Sequence, residues 1–516
     1  MGAYNAGEWL IDRNIREGRG LRTAIRCGGQ GYTYLDVMHE VQRVQAALVD
    51  AEMSEGDRVL LVLNDDPVFV AWFAGCLRSG VVPVPVSTML LGKELAHIAA
   101  DCAARVVVVS GDYADRLPAI ADGSPAITTV IVSGPVEVQG RGTDRAWSTY
   151  GPARHEMAIA STTWDTPGFW LYSSGTTGKP KGVIHKHGDL QATYDTYAKQ
   201  ILRVTPDDRF LSVAKLFFAF GLGNSLTFPF GAGATVILEP RRPTPPRFAE
   251  LAATEKPTLF FAAPGFVAGL LDSAATAEQF ASVRATVTAG EALPSSLQQR
   301  FSDRFGHPVV DGIGTSEATH IFLSNTLEEQ HPGSSGRVVP GYAAMLLDDE
   351  GQEVTTPNAP GYLHVQGPSV MSGYWNRPEA TAAALVDGWL RTGDVYVRDG
   401  DDHWTFLGRN NDMIKAGGIW VSPAEVESAL VAHPDVLEAA VVGSRNSDGL
   451  EEAVAFLVPR AGRNIDPDEI DAHCRSLIAA YKRPRRLFII DALPKTATGK
   501  IQRFALRERL EAGKLA

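Results

Sequence analysis

The chain is expected to be an α/β protein. Its large N-terminal domain combines two doubly wound α/β subdomains with a small β subdomain, and an α+β C-terminal domain follows. Three observations lead there. Short apolar strand runs alternate with helix-period segments over 33–110 and again over 208–310, the pattern of parallel sheets covered on both faces. Turn-rich short strands replace that pattern over 336–408. A polar segment, Gly408-Arg409-Asn410-Asn411-Asp412, then reads as a linker to a last unit.

In the first block, Leu35 to Glu52 has helical spacing, with Leu35, Val37, Met38, Val41, Val44, Ala47 and Leu48 on one face. Arg58 to Leu63 is a strand, Val68 to Ser79 a helix, and Val81–Val86 and Val106–Val109 are further strands. In the second block the strands are Phe210–Val213, Ala234–Leu238, Thr258–Phe261 and Val283–Thr288, with a helix from Pro264 to about Ser273. The last unit contains a hairpin around Gly417-Gly418 and a helix from Pro423 to Ala432. Strands at Ala439–Val442 and Ala453–Val458 follow, then a helix from Asp466 to Tyr481 and the basic run Lys482-Arg483-Pro484-Arg485-Arg486.

At 516 residues the chain exceeds one ordinary domain. Apolar content of 45% and charged content of 21% are those of a globular protein. A net charge of −12 argues against a nucleic-acid partner, which needs a basic surface. Cys27, Cys76, Cys102 and Cys474 form no CxxC pair, which fits reduced thiols and gives no metal site. No signal peptide is visible and no apolar run approaches the ~18 residues of a membrane span. The expectation is a cytoplasmic protein with no membrane partner, monomeric or homodimeric.

The densest chemistry lies in Tyr172-Ser173-Ser174-Gly175-Thr176-Thr177-Gly178-Lys179-Pro180-Lys181-Gly182-Val183, directly after Phe169-Trp170-Leu171. Glycines bring backbone N–H groups close to a ligand, and successive N–H groups make an anion nest. Hydroxyls and two lysines complete a polyphosphate cradle. It is not a Walker A loop, because Pro180 stands where Ser or Thr should hold Mg²⁺. This loop and Gly290 both follow strands, where open α/β sheets bind ligands.

Four more motifs follow in order: Asp311-Gly312-Ile313-Gly314-Thr315-Ser316-Glu317, Trp389-Leu390-Arg391-Thr392-Gly393-Asp394, Gly408 to Lys415, and Pro494-Lys495-Thr496-Ala497-Thr498-Gly499-Lys500-Ile501. Over essentially the whole chain, this set resembles the adenylate-forming superfamily of acyl-CoA synthetases, peptide-synthetase adenylation domains and luciferases. Lys215 to Asn224 and Thr319 to Asn325 look like its benzoate-CoA ligase branch.

The resemblance implies an AMP-forming acid–thiol ligase using ATP, Mg²⁺ and coenzyme A. It divides the chain into 1–408, a hinge at 409–412 centred on Asn411, and 413–516. Ser173, Ser174, Gly175, Thr176, Thr177, Gly178 and Lys181 would wrap the β- and γ-phosphates. Glu317 would hold Mg²⁺, and Ser316 replaces the usual Thr beside the α-phosphate. Asp394 and Arg409 would bind ribose, while Gly290, Glu291, Asp311, Gly312, Ile313 and Gly314 border adenine. Lys500 would be the catalytic lysine, with Lys495 left open. After rotation of the C-terminal domain, Lys415, Gly417, Gly418 and Trp420 would line the CoA tunnel. The basic run 482–486 is read as a solvated face, with a CoA phosphate as the alternative. Phe220 and His320 would form the acyl pocket, with Ala219, Gly290, Gly314 and Ile321 beside them. An aromatic wall with few polar groups favours an aromatic carboxylic acid, benzoate or a modestly substituted benzoate. The alternatives are an aryl adenylation enzyme that loads a carrier protein, a medium-chain fatty acyl-CoA ligase and a non-catalytic nucleotide sensor.

Overall fold

A computed structural model describes residues 2–134, 144–146, 157–174, 180–416, 419–445, 451–495 and 501–511. Two sheets dominate it. The first runs Val82–Pro85, Arg58–Val62, Val106–Ser110, Thr129–Ser133, Asp144–Ala146, all parallel. Its strands are apolar throughout because both faces are covered. Val59, Leu61, Val106 and Val108 enter a core with the helices Tyr34–Asp50 and Pro67–Arg78. Leu60, Val62, Val107 and Val109 point the other way, onto Leu95, Ile98 and Ile120.

The second sheet has nine strands. Its parallel centre is Val309–Gly314, Ala285–Thr288, Leu259–Ala262, Arg209–Ser212, Thr235–Leu238 and Thr23–Cys27, flanked by antiparallel edges Ile321–Ser324 and Gln30–Thr33. Phe210, Val236, Phe261 and Val287 join the same core as the inner face of the first sheet. Leu211, Ile237, Phe260 and Ala262 pack outward against Phe248, Leu270 and Phe301. The two doubly wound subdomains therefore share one interior. The Thr23–Thr33 hairpin, unforeseen from its residues, belongs to this second sheet, pairing with Thr235–Leu238 more than two hundred residues later.

The segment 336–408 forms the expected β unit: Ala343–Leu347, Gly361–Gln366, Trp389–Arg398 and Leu385–Val386 in order, with Trp404–Arg409 paired to Trp389–Arg398. Gly408 and Arg409 differ from the linker reading, because they complete a strand whose register sets Asp394 opposite Arg409. Only Asn410–Asp412 leaves it, as a 3₁₀ turn. Beyond lie the hairpin Ile414–Ala416 with Ile419–Val421 and the sheet Val436–Arg445, Glu451–Pro459, Arg486–Ile489. Helices Pro423–Val431, Pro467–Leu477 and Arg503–Glu511 accompany that sheet. The helix expected to reach Tyr481 stops at Leu477, where Ile478 turns extended at φ −132°, ψ 150°. Among the described residues no helix is long and apolar enough to cross a membrane.

Candidate active site

Strands Pro167–Ser174 and Pro180–Lys186 form an antiparallel hairpin, with Ser173 opposite Lys181 and Ser174 opposite Pro180. Gly175, Thr176, Thr177 and Gly178 lie outside the described residues, as do Gly417, Gly418 and Lys500. The base of the hairpin meets Glu317. Ser173 Oγ donates to Glu317 Oε1 at 3.2 Å and the Tyr374 hydroxyl to the same oxygen at 3.0 Å. The Thr315 hydroxyl donates to Oε2. Three hydroxyls thus fix the carboxylate without neutralising it. Lys181 Nζ sits 5.1 Å from the centre of the Tyr374 ring, so hairpin, lysine and carboxylate surround one tyrosine.

Glu317 lies in the 3₁₀ turn Ser316–Ala318, which follows the Val309–Gly314 strand. His185, fully buried, donates from Nε2 to the Ser316 carbonyl at 2.7 Å, and its Nδ1 is 3.0 Å from Asp189 Oδ2. Thr319 ends the turn at φ 67°, a strained value for a β-branched residue. Its hydroxyl donates to Ser369 O at 3.1 Å, which holds the bend. The bend swings His320 inward.

His320 lies among rings: Phe228 at 4.6 Å, Tyr197 at 5.3 Å and Phe220 at 5.5 Å between centroids. Its Nε2 is 3.1 Å from Asn224 Oδ1. Burial pushes its pKa down to about 3, with the Phe220 backbone carbonyl opposing, so the imidazole is neutral at ordinary pH. Ala219 and Phe220 begin the Ala219–Leu222 helix, which passes into a π-helical turn at Gly223–Thr227. Gly223 is required there: a Cβ would stand 2.3 Å from His320 Cδ2. Gly314 has a similar reason, since its Cβ would stand 2.3 Å from His320 O. Ile321 is buried beside them. Ala219, Phe220, Gly314, His320 and Ile321 thus lie close together.

Gly290 has φ 96° and open space where a Cβ would be. Asp311 is turned inward: its Oδ1 accepts the Thr288 hydroxyl at 2.6 Å, and burial pushes its pKa up to about 8. Asp394 is buried, and its Oδ1 lies 3.0 Å from Arg409 Nε. Arg409 also donates to Thr392 O at 2.8 Å. Lys495 pairs with Glu438. Lys482 pairs with Glu425 at 2.6 Å and Arg486 with Glu452 at 2.9 Å, so much of the basic run is already countered.

Residues 12–375 match the AMP-binding enzyme family model, and residues 425–500 match the C-terminal domain model of AMP-binding enzymes. The chain belongs to the AMP-binding enzyme family. It is 41% identical to a benzoate–CoA ligase of Thauera aromatica over 98% of this chain and 96% of that one. Its fold is similar to a crystal structure of the anthranilate CoA ligase AuaEII in complex with anthranoyl-AMP. That match has a TM-score of 0.93 and 34% identity, and covers 99% of this chain and 98% of the other. A benzoate CoA ligase from Burkholderia xenovorans LB400 matches with TM-score 0.89 and 36% identity, over 98% and 100%.

Sequence reading missed several residues that shape this AMP-binding enzyme's site. Thr315 and Asn224 stood inside the motifs but without a role. Tyr374 lies 57 residues from Glu317, with no local signal to connect them. Asp65 is fully buried and accepts the Leu216 N–H at 3.2 Å, anchoring the segment that leads to Phe220.

Proposed function

We propose that this chain is an aryl-CoA ligase. It activates benzoate, or a modestly substituted benzoate, with ATP and passes the acyl group to coenzyme A. One observation carries the substrate class: the Phe220–His320 ring pair is 5.5 Å apart, and His320 stands three residues along the chain from Glu317. On this reading a planar acid rests on those rings with its carboxylate toward the triphosphate. Likeness to benzoate and anthranilate CoA ligases supports the same reading.

The carboxylate oxygen attacks the α-phosphorus, the bond to pyrophosphate breaks, and an aryl-adenylate forms. A CoA thiolate then attacks the acyl carbon and AMP leaves. Such phosphoryl chemistry depends on positioning and charge neutralisation. Ser173, Ser174, Gly175, Thr176, Thr177, Gly178 and Lys181 hold the β- and γ-phosphates, with Ser316 at the α-phosphate. Lys500 places positive charge between the acid and the α-phosphate. Asp394 and Arg409 take the ribose, and the turn at Gly290 and Glu291, with the backbone of 311–314, borders adenine. The donor set at Glu317, one carboxylate steadied by hydroxyls, fits a hard cation. Glu317 would hold Mg²⁺, which supplies charge neutralisation to the phosphates when bound.

The reading divides the chain at 409–412. Rotation about Asn411 exchanges Lys500 for the 415–420 hairpin between half-reactions. A cytoplasmic setting belongs to the same reading, consistent with four free cysteines.

The test is a pyrophosphate-release screen over benzoate, its hydroxy-, amino- and halo-derivatives and octanoate, with mass spectrometry of the thioester. Benzoate-type acids should release pyrophosphate and yield aryl-CoA. Aryl-AMP with no thioester on CoA would sink the ligase assignment and favour carrier-protein loading. Octanoate turnover with none of benzoate would overturn the substrate class.

A further inference from the structure

One side-chain cluster lies outside everything the adenylation reading uses. His331, Asp399 and His403 each offer a ligand atom, and these atoms lie within 4.8 Å of one another. His331 sits in the loop between the Ile321–Ser324 and Arg337–Val338 strands. Asp399 and His403 sit in the turn joining Trp389–Arg398 to Trp404–Arg409. The two imidazoles stack at 4.2 Å between centroids and 12° between planes.

His403 is the second, independent observation. Its side chain is 8% exposed, and its Nδ1 finds no hydrogen-bond partner. Burial without a partner is unfavourable for that nitrogen, and a ligand would relieve it. Asp399 Oδ2 lies 3.5 Å from that nitrogen, and Glu329 Oε1 lies 3.5 Å from Nε2 of the same ring. The Asp399 carboxylate is held in place, because its Oδ1 accepts the N–H groups of Asp401 at 2.9 Å and His403 at 2.8 Å. One ligand is thus fixed, one is buried and waiting, and one, His331, is exposed and free to turn.

We propose that His331, Asp399 and His403 form a binding site for a divalent transition-metal ion of the zinc class, separate from the magnesium expected at Glu317. Two imidazoles and a carboxylate suit Zn²⁺, Co²⁺ or Ni²⁺, whereas Mg²⁺ prefers oxygen ligands alone. Bonds of about 2.0–2.2 Å in a tetrahedron put donors roughly 3.3–3.6 Å apart. The cluster must therefore tighten by about 1 Å, a motion available to an exposed imidazole leaving its stack. Water takes the fourth position, while Glu329, paired with Arg337 at 3.1 Å, faces the other nitrogen of His403. The ion would tie the far turn of the hairpin that carries Asp394 and Arg409 to the loop around His331. A second group, His433, Asp435 and Glu469, is less suited. Its His433 Nδ1 already accepts the Asp435 N–H at 3.3 Å, and Asp435 pairs with Arg463 at 3.6 Å.

The test uses metal-free full-length protein without a polyhistidine tag, titrated at about pH 7.5 with Zn²⁺ by calorimetry and with Co²⁺ by visible absorption. One micromolar site is expected, with Co²⁺ ligand-field bands and no competition from excess Mg²⁺. His331→Gln and His403→Gln should each weaken it by roughly tenfold or more. Because His331 is exposed, H331Q should melt like the wild type without metal, yet lose the rise in melting temperature that Zn²⁺ produces. No saturable binding below about 1 mM, unchanged affinity in H331Q, or loss of binding in H433Q instead would overturn the proposal.

Discussion

His320 owes its place to Gly223. The glycine has no side chain where the imidazole edge lies, and an added Cβ would stand 2.3 Å from Cδ2 and 2.7 Å from Nε2. Gly223→Ala should therefore push the ring out of contact with Asn224 and into the acid site. Overpacking of this kind costs ~1–3 kcal/mol, so kcat/KM for benzoate should fall roughly tenfold or more while KM for ATP holds. An unchanged benzoate kcat/KM would refute that geometry. Asp311 supports a prediction of the opposite character. Burial raises its pKa to about 8, above the 3.8 of the unfolded chain. The folded state therefore binds the extra proton, and the stability this gives is present below pH ~4 and is lost as pH rises toward ~8. Asp311→Asn keeps an acceptor for the Thr288 hydroxyl but cannot ionise. Its melting temperature relative to wild type should climb between about pH 5 and 8 and then level off. Subtracting the two proteins removes the parallel contributions of Asp65 and Asp66, both raised to about 6. A difference that is flat or falls with pH would show Asp311 ionised in the folded protein.

At the scale of elements, Glu317 is assembled by three segments distant in sequence: the hairpin strand with Ser173, the turn with Thr315, and the short strand Gly373–Tyr374 that pairs with Pro180–Lys186. Tyr374→Phe keeps the ring beneath Lys181 but removes one donor to the carboxylate. A hydrogen bond to a charged group contributes about 1.5–3 kcal/mol at most, and two hydroxyls remain. KM for ATP at limiting Mg²⁺ should rise by about threefold to tenfold, with benzoate KM little changed. Equal rises for both substrates would make Tyr374 a general packing residue. This element also shows what a sequence can and cannot reveal. Strands such as Val106–Ser110 were legible because burial on both faces makes them wholly apolar. The Thr23–Cys27 strand was not, because its partner is Thr235–Leu238 and its own pattern is mixed. The same distinction holds in the site. Glu317, Ser173 and Lys181 stood in recognisable motifs, while Tyr374 and Asp65 act through contacts that only the folded chain creates.

For the whole molecule the question is which half-reaction the described arrangement serves. Arg503, three residues beyond Lys500, donates from Nη2 to Glu427 Oε1 at 2.7 Å. The isolated bridge between Lys495 and Ile501 brackets the lysine segment. On the proposed reading Lys500 acts in the adenylating half-reaction. Lys500→Ala should then abolish most pyrophosphate release yet leave thioester formation from preformed aryl-AMP largely intact. Across the domain boundary, Arg460 Nη1 donates to Asp272 Oδ1 at the end of the Pro264–Asp272 helix. Exposed pairs of this type contribute about 0.2–1 kcal/mol. Arg460→Ala should therefore bias rotation away from this arrangement, slowing adenylation by up to about fivefold and sparing the thioester step. Stopped-flow pyrophosphate release measures the first rate, and quenched-flow with synthetic benzoyl-AMP and CoA measures the second. If both rates fall together, the pair is only structural. If thioester formation alone slows, the described arrangement is the one that receives CoA.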